Sequence, residues 1–140
     1  MAEHPVFQVA QFMDLGGQTV PRDVDFDITP EEILPFIDRV DEEVEETFVA
    51  SGYDYEPGEH GSVNLPEVLD GFIDAAYAAF TGAIRVAGLT KARVAWDLVV
   101  DANLSKVDGR YGAPIINPVT GKIGKPEGWK SPDIESLIES

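Results

Sequence analysis

The chain has 140 residues, enough for one domain with a sizeable apolar core. It has no cysteine, which excludes disulfides and thiolate metal sites. Its net charge of −16 argues against nonspecific binding to nucleic-acid phosphates.

The charge is unevenly spread. Residues 1–84 hold 19 acids and 2 bases, whereas residues 85–140 hold 7 acids and 8 bases. The first half therefore suits a cation site, or a solvated acidic surface that aids solubility. Met1-Ala-Glu-His-Pro5 leads into no apolar run of the signal-peptide kind, and no apolar run has the length of a membrane span. A soluble cytoplasmic protein without a membrane partner is the expectation.

Pro5 to about Met13 reads as a short helix with Val6, Val9, Ala10, Phe12 and Met13 at helical spacing, ended by Gly16-Gly17. An Asp-rich connector follows over 18–28. Thr29, Pro30 and Glu32 form a capping-box start for a second helix. Its apolar stripe is Ile33, Ile37, Val40, Val44 and Phe48, and Gly52 closes it. Glu43 and Glu46 share one flank of that stripe with Arg39, while Asp38, Asp41 and Glu45 point away as solvent charges. A loop spans 52–63.

Asn64 and Pro66 start a third helix that runs to about Ala87 and stops at Gly88. It is apolar nearly all round and is expected to be central and buried. Glu67, Asp70 and Asp74 lie on one of its faces, at i, i+3 and i+7. Asp74 is the sole charge in residues 71–84. A lone buried carboxylate costs several kcal/mol unless it is paired, and Asp70 one turn away repels it. A base such as Arg85 or Arg39 would resolve this, and so would a divalent cation. A fourth helix is expected from Thr90 to about Lys106, with core helices over about 30–106. The Gly/Pro-rich tail, 107–140, suggests a small hairpin around Asn117-Pro-Val-Thr-Gly121 and a short last helix capped by Ser131-Pro132.

Four helices with facing carboxylates predict an all-α, four-helix bundle-like domain with a metal site in its interior. Glu43, Glu46, Asp70 and Asp74 would form an all-oxygen donor set, which favours Mg²⁺, with Mn²⁺ as the alternative. The two histidines, His4 and His60, fall outside the acid-bearing helices, which counts against di-iron and zinc sites. Alone, Glu42-Glu43-x-x-Glu46 also reads as a charged helical face. Glu42 and Glu67 are weaker candidates, as ligands, outer partners or caps. Lys106, Arg110, Lys122, Lys125 and Lys130 suit a polyphosphate, or serve solubility and the helix dipole. Trp96, Tyr111 and Trp129 are candidate stacking surfaces for a base.

Together, Glu42-Glu43-x-x-Glu46, the Glu67-x-x-Asp70-x-x-x-Asp74-x-x-Tyr77 helix, Asn103-Leu-Ser105-Lys106, Gly121-Lys122-Ile-Gly-Lys125 and Pro132-Asp133 resemble the MazG-like all-α nucleotide pyrophosphohydrolases. The similarity is greatest to the small phage and bacterial branch, a relative of dimeric dUTPases and phosphoribosyl-ATP pyrophosphohydrolases. It covers most of the chain, including Phe12-Met13 and Gly17-Gln18. Gly71 stands where other branches carry a second acid, so Asp70 is expected to supply that ligand. The loop at 52–63 has no counterpart.

The resemblance implies a single MazG-type domain over 1–140 that hydrolyses a nucleoside triphosphate, or a similar nucleotide, to the monophosphate and pyrophosphate with Mg²⁺. Glu43, Glu46, Asp70 and Asp74 would hold the metal, and Glu42 or Glu43 would serve as catalytic base. Asn103, Lys106, Lys122 and Lys125 would bind substrate, with Glu67 and Arg39 behind them. A homo-oligomer, dimer or tetramer, is implied as well. The alternatives are an inactive nucleotide-binding module on the same fold and an acidic interaction protein that mimics DNA.

Overall fold

A computed structural model describes residues 3–53 and 61–140. The described chain is all-α, with helices α1 (Pro5–Leu15), α2 (Pro30–Ala50), α3 (Leu65–Ala87), α4 (Leu89–Ser105) and α5 (Ile134–Glu139). No single described helix is long and apolar enough to cross a membrane. The chain forms two compact units, Met1–Leu89 and Thr90–Ser140.

In the first unit α3 packs against both α1 and α2. The helix starts follow the sequence signals. The His4 ring nitrogen caps α1 by accepting from the Val6 N–H at 3.1 Å. The Thr29 hydroxyl oxygen accepts from the Glu32 N–H at 3.2 Å, and its O–H donates to the Glu32 carboxylate at 3.1 Å. Asn64 caps α3 through the Glu67 N–H, and its own N–H bonds the Ala50 carbonyl at 2.9 Å, which closes the turn of an α2–α3 hairpin. The core comprises Val6, Val9, Ala10 and Met13 of α1, with Ala50 and Ile84 from the hairpin.

Two close approaches fix the position of α3. At Gly71 an added Cβ would fall on the Thr47 hydroxyl, with the Thr47 Cβ 3.0 Å and Cα 3.3 Å away. Only a residue without a side chain lets the helices meet there. At Gly88, φ is +79° and the backbone of Arg22 and Asp23 passes within 3 Å of where a Cβ would stand. The connector is also pinned by the Asp25 N–H on the Val86 carbonyl and by Arg85. That guanidinium bonds Asp25 and Glu32, each at 2.7 Å.

Burial differs from the sequence expectation. Along α3 only Gly71, Thr81 and Ile84 are buried, while Leu65, Leu69, Phe72 and Ile73 are exposed, Phe72 by 64%. On α2 the stripe is half open, with Ile37 and Val44 exposed. The helix turns Thr47 and Ala50 inward instead. Close packing at Gly71 brings Thr47 inward there, while Phe36 meets α3 at Gly82 and Ile37 and Val44 stay outside.

In the second unit Trp129 anchors the tail to α4. Its indole N–H lies 3.0 Å from the Ala102 carbonyl and 2.9 Å from the buried Ser105 hydroxyl. The Lys91 ammonium donates to the Ile138 and Ser140 carbonyls at the end of α5. The expected hairpin is reduced to one antiparallel bridge between Ile116 and Ile123. Asn117, through its Oδ1, takes the N–H groups of Val119 and Thr120, so the intervening residues form a local turn rather than extended strands. The last helix is capped by Asp133, not by Ser131, because the Asp133 carboxylate reaches the Ser136 N–H at 3.0 Å.

Candidate functional site

An open cleft of about 590 Å³ runs between α2 and α3. Glu42, Glu43, Glu45 and Glu46 of α2 line it with Glu67, Asp70 and Gly71 of α3. The carboxylates thus stand at the surface of the hairpin rather than in a bundle interior. Glu42, Glu46, Glu67 and Asp70 are exposed; Glu43 and Asp74 are half-buried. Glu45, expected to point away, lines the cleft. It lies one turn from Glu42 and Val49, on the flank that Thr47 and Ala50 bring toward α3.

Glu43 is the electrostatic centre. Partial burial pushes its carboxyl above the usual carboxylate range, and the charges of Glu46, Asp74 and Asp70 push it in the same direction. Carboxylates from both helices therefore act on Glu43. Thr47 donates its hydroxyl to the Glu43 carbonyl at 2.6 Å, so the residue that packs on Gly71 is bonded to the turn that carries Glu43.

A second groove, about 350 Å³, opens on the other side of Glu43. Asp74 lies here with Phe12, Gln18, Arg39 and Tyr77. The expected partner Arg85 is taken up by Asp25 and Glu32. Arg39 lies over the Phe36 ring, 5.1 Å from its centroid. Among the described residues no base forms an ion pair with Asp74.

An excess of carboxylates facing one another without bases is the donor chemistry that hard divalent cations satisfy. Among the described residues, no three Asp, Glu or His side chains already converge as ligands of one ion. The donor set fits Mg²⁺ or Mn²⁺ in type, with Glu43, Glu46, Asp70 and Asp74 as the residues that would hold it. His4 is engaged as a helix cap; His60 lies outside the described residues.

The second unit gathers part of the expected substrate-binding set. Lys106 donates to the Asn103 side-chain carbonyl at 3.1 Å. The ammonium groups of Lys106 and Lys125 stand 4.8 and 5.4 Å from the Trp129 ring centroid, within cation–π range. Trp129 is thus a platform for two cations instead of an open stacking surface. Lys122 is exposed on the bridge segment. Arg110 pairs with Asp101 at 2.9 Å and Asp108 at 2.8 Å. The guanidinium holds the Asp101 carboxyl below its usual range, and the Arg110 backbone N–H, with the guanidinium, does the same for Asp108.

Gly71, Thr47 and Gln18 were not singled out for the site by sequence. The signal available for Gly71 was its place between Asp70 and Asp74 on a helix with no need of a bend. No known protein-family model matches this chain, and no curated protein matches it either.

Proposed function

We propose that the chain is a divalent-metal-dependent nucleotide pyrophosphohydrolase with its reaction centre at the α2–α3 cleft. The observation that carries this reading is the open α2–α3 cleft where Glu42, Glu43 and Glu46 of α2 stand with Glu67 and Asp70 of α3, beside the groove that Glu43 shares with Asp74. The sequence resemblance to MazG-like enzymes supplies the reaction class.

In this reading Glu43, Glu46, Asp70 and Asp74 hold Mg²⁺ or Mn²⁺. The ion, when bound, supplies positive charge for the phosphates and a more acidic water. Glu43 takes a proton from the attacking water, a role suited to a carboxylate of raised proton affinity. Glu42, exposed on the cleft rim, is the second candidate for that role. Glu67 and Arg39 border the carboxylates. The resemblance also implies polyphosphate contacts from Asn103, Lys106, Lys122 and Lys125.

A MazG-type assembly of identical chains belongs to this reading. Its support is the exposed apolar surface of the hairpin, with Leu65, Leu69, Phe72 and Ile73 on α3 and Ile37 and Val44 on α2. Exposed apolar side chains in this number suit an association site. Sedimentation velocity of the wild type and of Phe72→Glu tests it: a dimer or larger assembly that Phe72→Glu weakens is expected, and a monomeric wild type at micromolar concentration would refute it.

The activity test is release of pyrophosphate, as distinct from orthophosphate, from a panel of common and modified NTPs and dNTPs with Mg²⁺, with Mn²⁺ and with EDTA. Metal-dependent pyrophosphate release is expected. Nucleotide binding without turnover would favour the inactive module. Neither binding nor turnover in folded protein would refute the nucleotide reading.

A further inference from the structure

The acidic cleft and the groove on the Asp74 side meet at Glu43, which lines both. Among the described residues on these two surfaces, Arg39 is the one base; the other charged side chains are carboxylates. Arg39 stands one turn before Glu43 on α2, so the two project from the same flank. Arg39 is exposed, and among the described residues its guanidinium forms no ion pair. Arg85, by contrast, is held by Asp25 and Glu32, each at 2.7 Å. The order of the residues explains why Glu43 does not capture Arg39: a base four residues before an acid is the weaker arrangement of such a pair on a helix.

The contact Arg39 does make is with the Phe36 ring one turn back, 5.1 Å from the guanidinium carbon to the centroid. A contact to a ring face leaves the N–H groups of a guanidinium available to other partners. It also steadies a long side chain, which lowers the entropy lost when that side chain takes up a ligand. A phosphate brought to an ion at Glu43 and Asp74 meets carboxylates that repel it. The ion offsets part of that repulsion. A guanidinium beside it offsets more, because its parallel N–H donors match two phosphate oxygens.

We infer that Arg39 is a phosphate ligand of the substrate, its guanidinium donating to oxygens of the phosphate group held at Glu43 and Asp74. The inference rests on the nucleotide reading above, and it gives Arg39 a direct contact with substrate in place of a position behind the carboxylates. The two roles differ in sign at the metal. A positive charge beside the carboxylates opposes a bare divalent cation, so losing a phosphate ligand leaves Mg²⁺ binding equal or tighter and weakens phosphate binding. Losing a residue that only shapes the carboxylates weakens both.

The test compares wild type with Arg39→Met, which keeps the aliphatic length and loses the charge, and Arg39→Lys, which keeps the charge and loses the fork. Arg39 is exposed, so both variants are expected to keep the fold, which circular dichroism checks. With a nucleotide that wild type hydrolyses, kcat/KM is expected to fall on the order of 100-fold in Arg39→Met and by less in Arg39→Lys. Calorimetric titration of Arg39→Met is expected to show Mg²⁺ alone bound as well as, or better than, by wild type, and inorganic pyrophosphate with Mg²⁺ bound about tenfold more weakly. Turnover by Arg39→Met equal to wild type overturns the inference and leaves the proposed activity standing. A loss of Mg²⁺ binding that matches the loss of turnover also overturns it, and makes Arg39 a positioning residue for the carboxylates. If wild type turns over no nucleotide, the activity fails separately and the pyrophosphate titration decides Arg39: weaker binding by Arg39→Met supports the phosphate contact, and equal binding, or none by wild type, overturns it.

Discussion

Gly71→Ala should harm both stability and metal affinity, although alanine is the better helix former. The gain from helix propensity is about 1 kcal/mol. Against it stands the Thr47 contact. Rotating Thr47 would move its hydroxyl, but its Cβ at 3.0 Å and Cα at 3.3 Å from the new methyl are backbone-fixed. Relief therefore requires α2 and α3 to separate locally by several tenths of an ångström. Overpacking of this kind costs about 1–3 kcal/mol, and the backbone-fixed contacts place it at the upper end. The net loss is about 2 kcal/mol, roughly an 8 °C fall in Tm for a chain of this size. Glu43 and Glu46 lie on one side of that contact, and Asp70 and Asp74 on the other. If the proposed metal site is right, the same separation should widen the donor set and weaken Mg²⁺ binding. Thermal melts with and without Mg²⁺ measure both effects. Thr47→Ala combined with Gly71→Ala should recover part of the loss, with a coupling of about 1 kcal/mol. A Gly71→Ala protein that melts at or above wild type, with unchanged Mg²⁺ affinity, would refute the close-packing account.

Asp74→Asn should abolish metal-dependent turnover while circular dichroism still reports the helical fold; normal turnover would remove Asp74 from the site. Glu43→Gln should raise Tm without metal and abolish the rise that Mg²⁺ gives wild type. The pH dependence has a definite sign. The Glu43 carboxyl is raised in the fold, so its contribution to stability is full below the ordinary carboxylate range and is lost as pH climbs through the raised value. The gain in Tm from Glu43→Gln should therefore be larger at pH 7.5 than at pH 4, and equal gains would refute the electrostatic origin. Asp25 behaves oppositely: its hydrogen bond to Arg85 lowers its carboxyl, so its contribution is present at neutral pH and is lost as pH falls below about 4. Asp25→Asn should destabilise at pH 7 and become neutral near pH 3 in thermal melts. Trp129→Phe leaves the buried Ser105 hydroxyl and the Ala102 carbonyl without the indole donor, a loss of about 1–2 kcal/mol by urea titration, and should weaken the Lys106–Lys125 platform.

Elements that end on local chemistry were legible in the sequence. Thr29, Asn64 and the Gly16-Gly17 pair act through neighbours within four residues, and α1 to α3 begin and end where those signals stand. The acidic pairs were legible as well, because i, i+3 and i+4 spacing on a helix fixes which carboxylates can meet. Which flank of α2 faces α3 was not. The stripe of Ile33, Ile37, Val40 and Val44 is the stronger hydrophobic signal, yet the close approach at Gly71 is made by Thr47. Periodicity reports which residues prefer burial, but close approach of two backbones is decided by which residues are small at the crossing. The same step explains the placement of the acids. Turning Thr47 inward brings Glu43, Glu45 and Glu46 to the α2–α3 seam and leaves Ile37 and Val44 outward. A carboxylate-lined cleft and an uncovered apolar face are thus two results of one packing choice. In the proposed assembly the apolar face is what a second copy would cover. The packing that creates the cleft would then also create the need for the partner, and a variant that loosens Gly71 against Thr47 should weaken self-association together with metal binding.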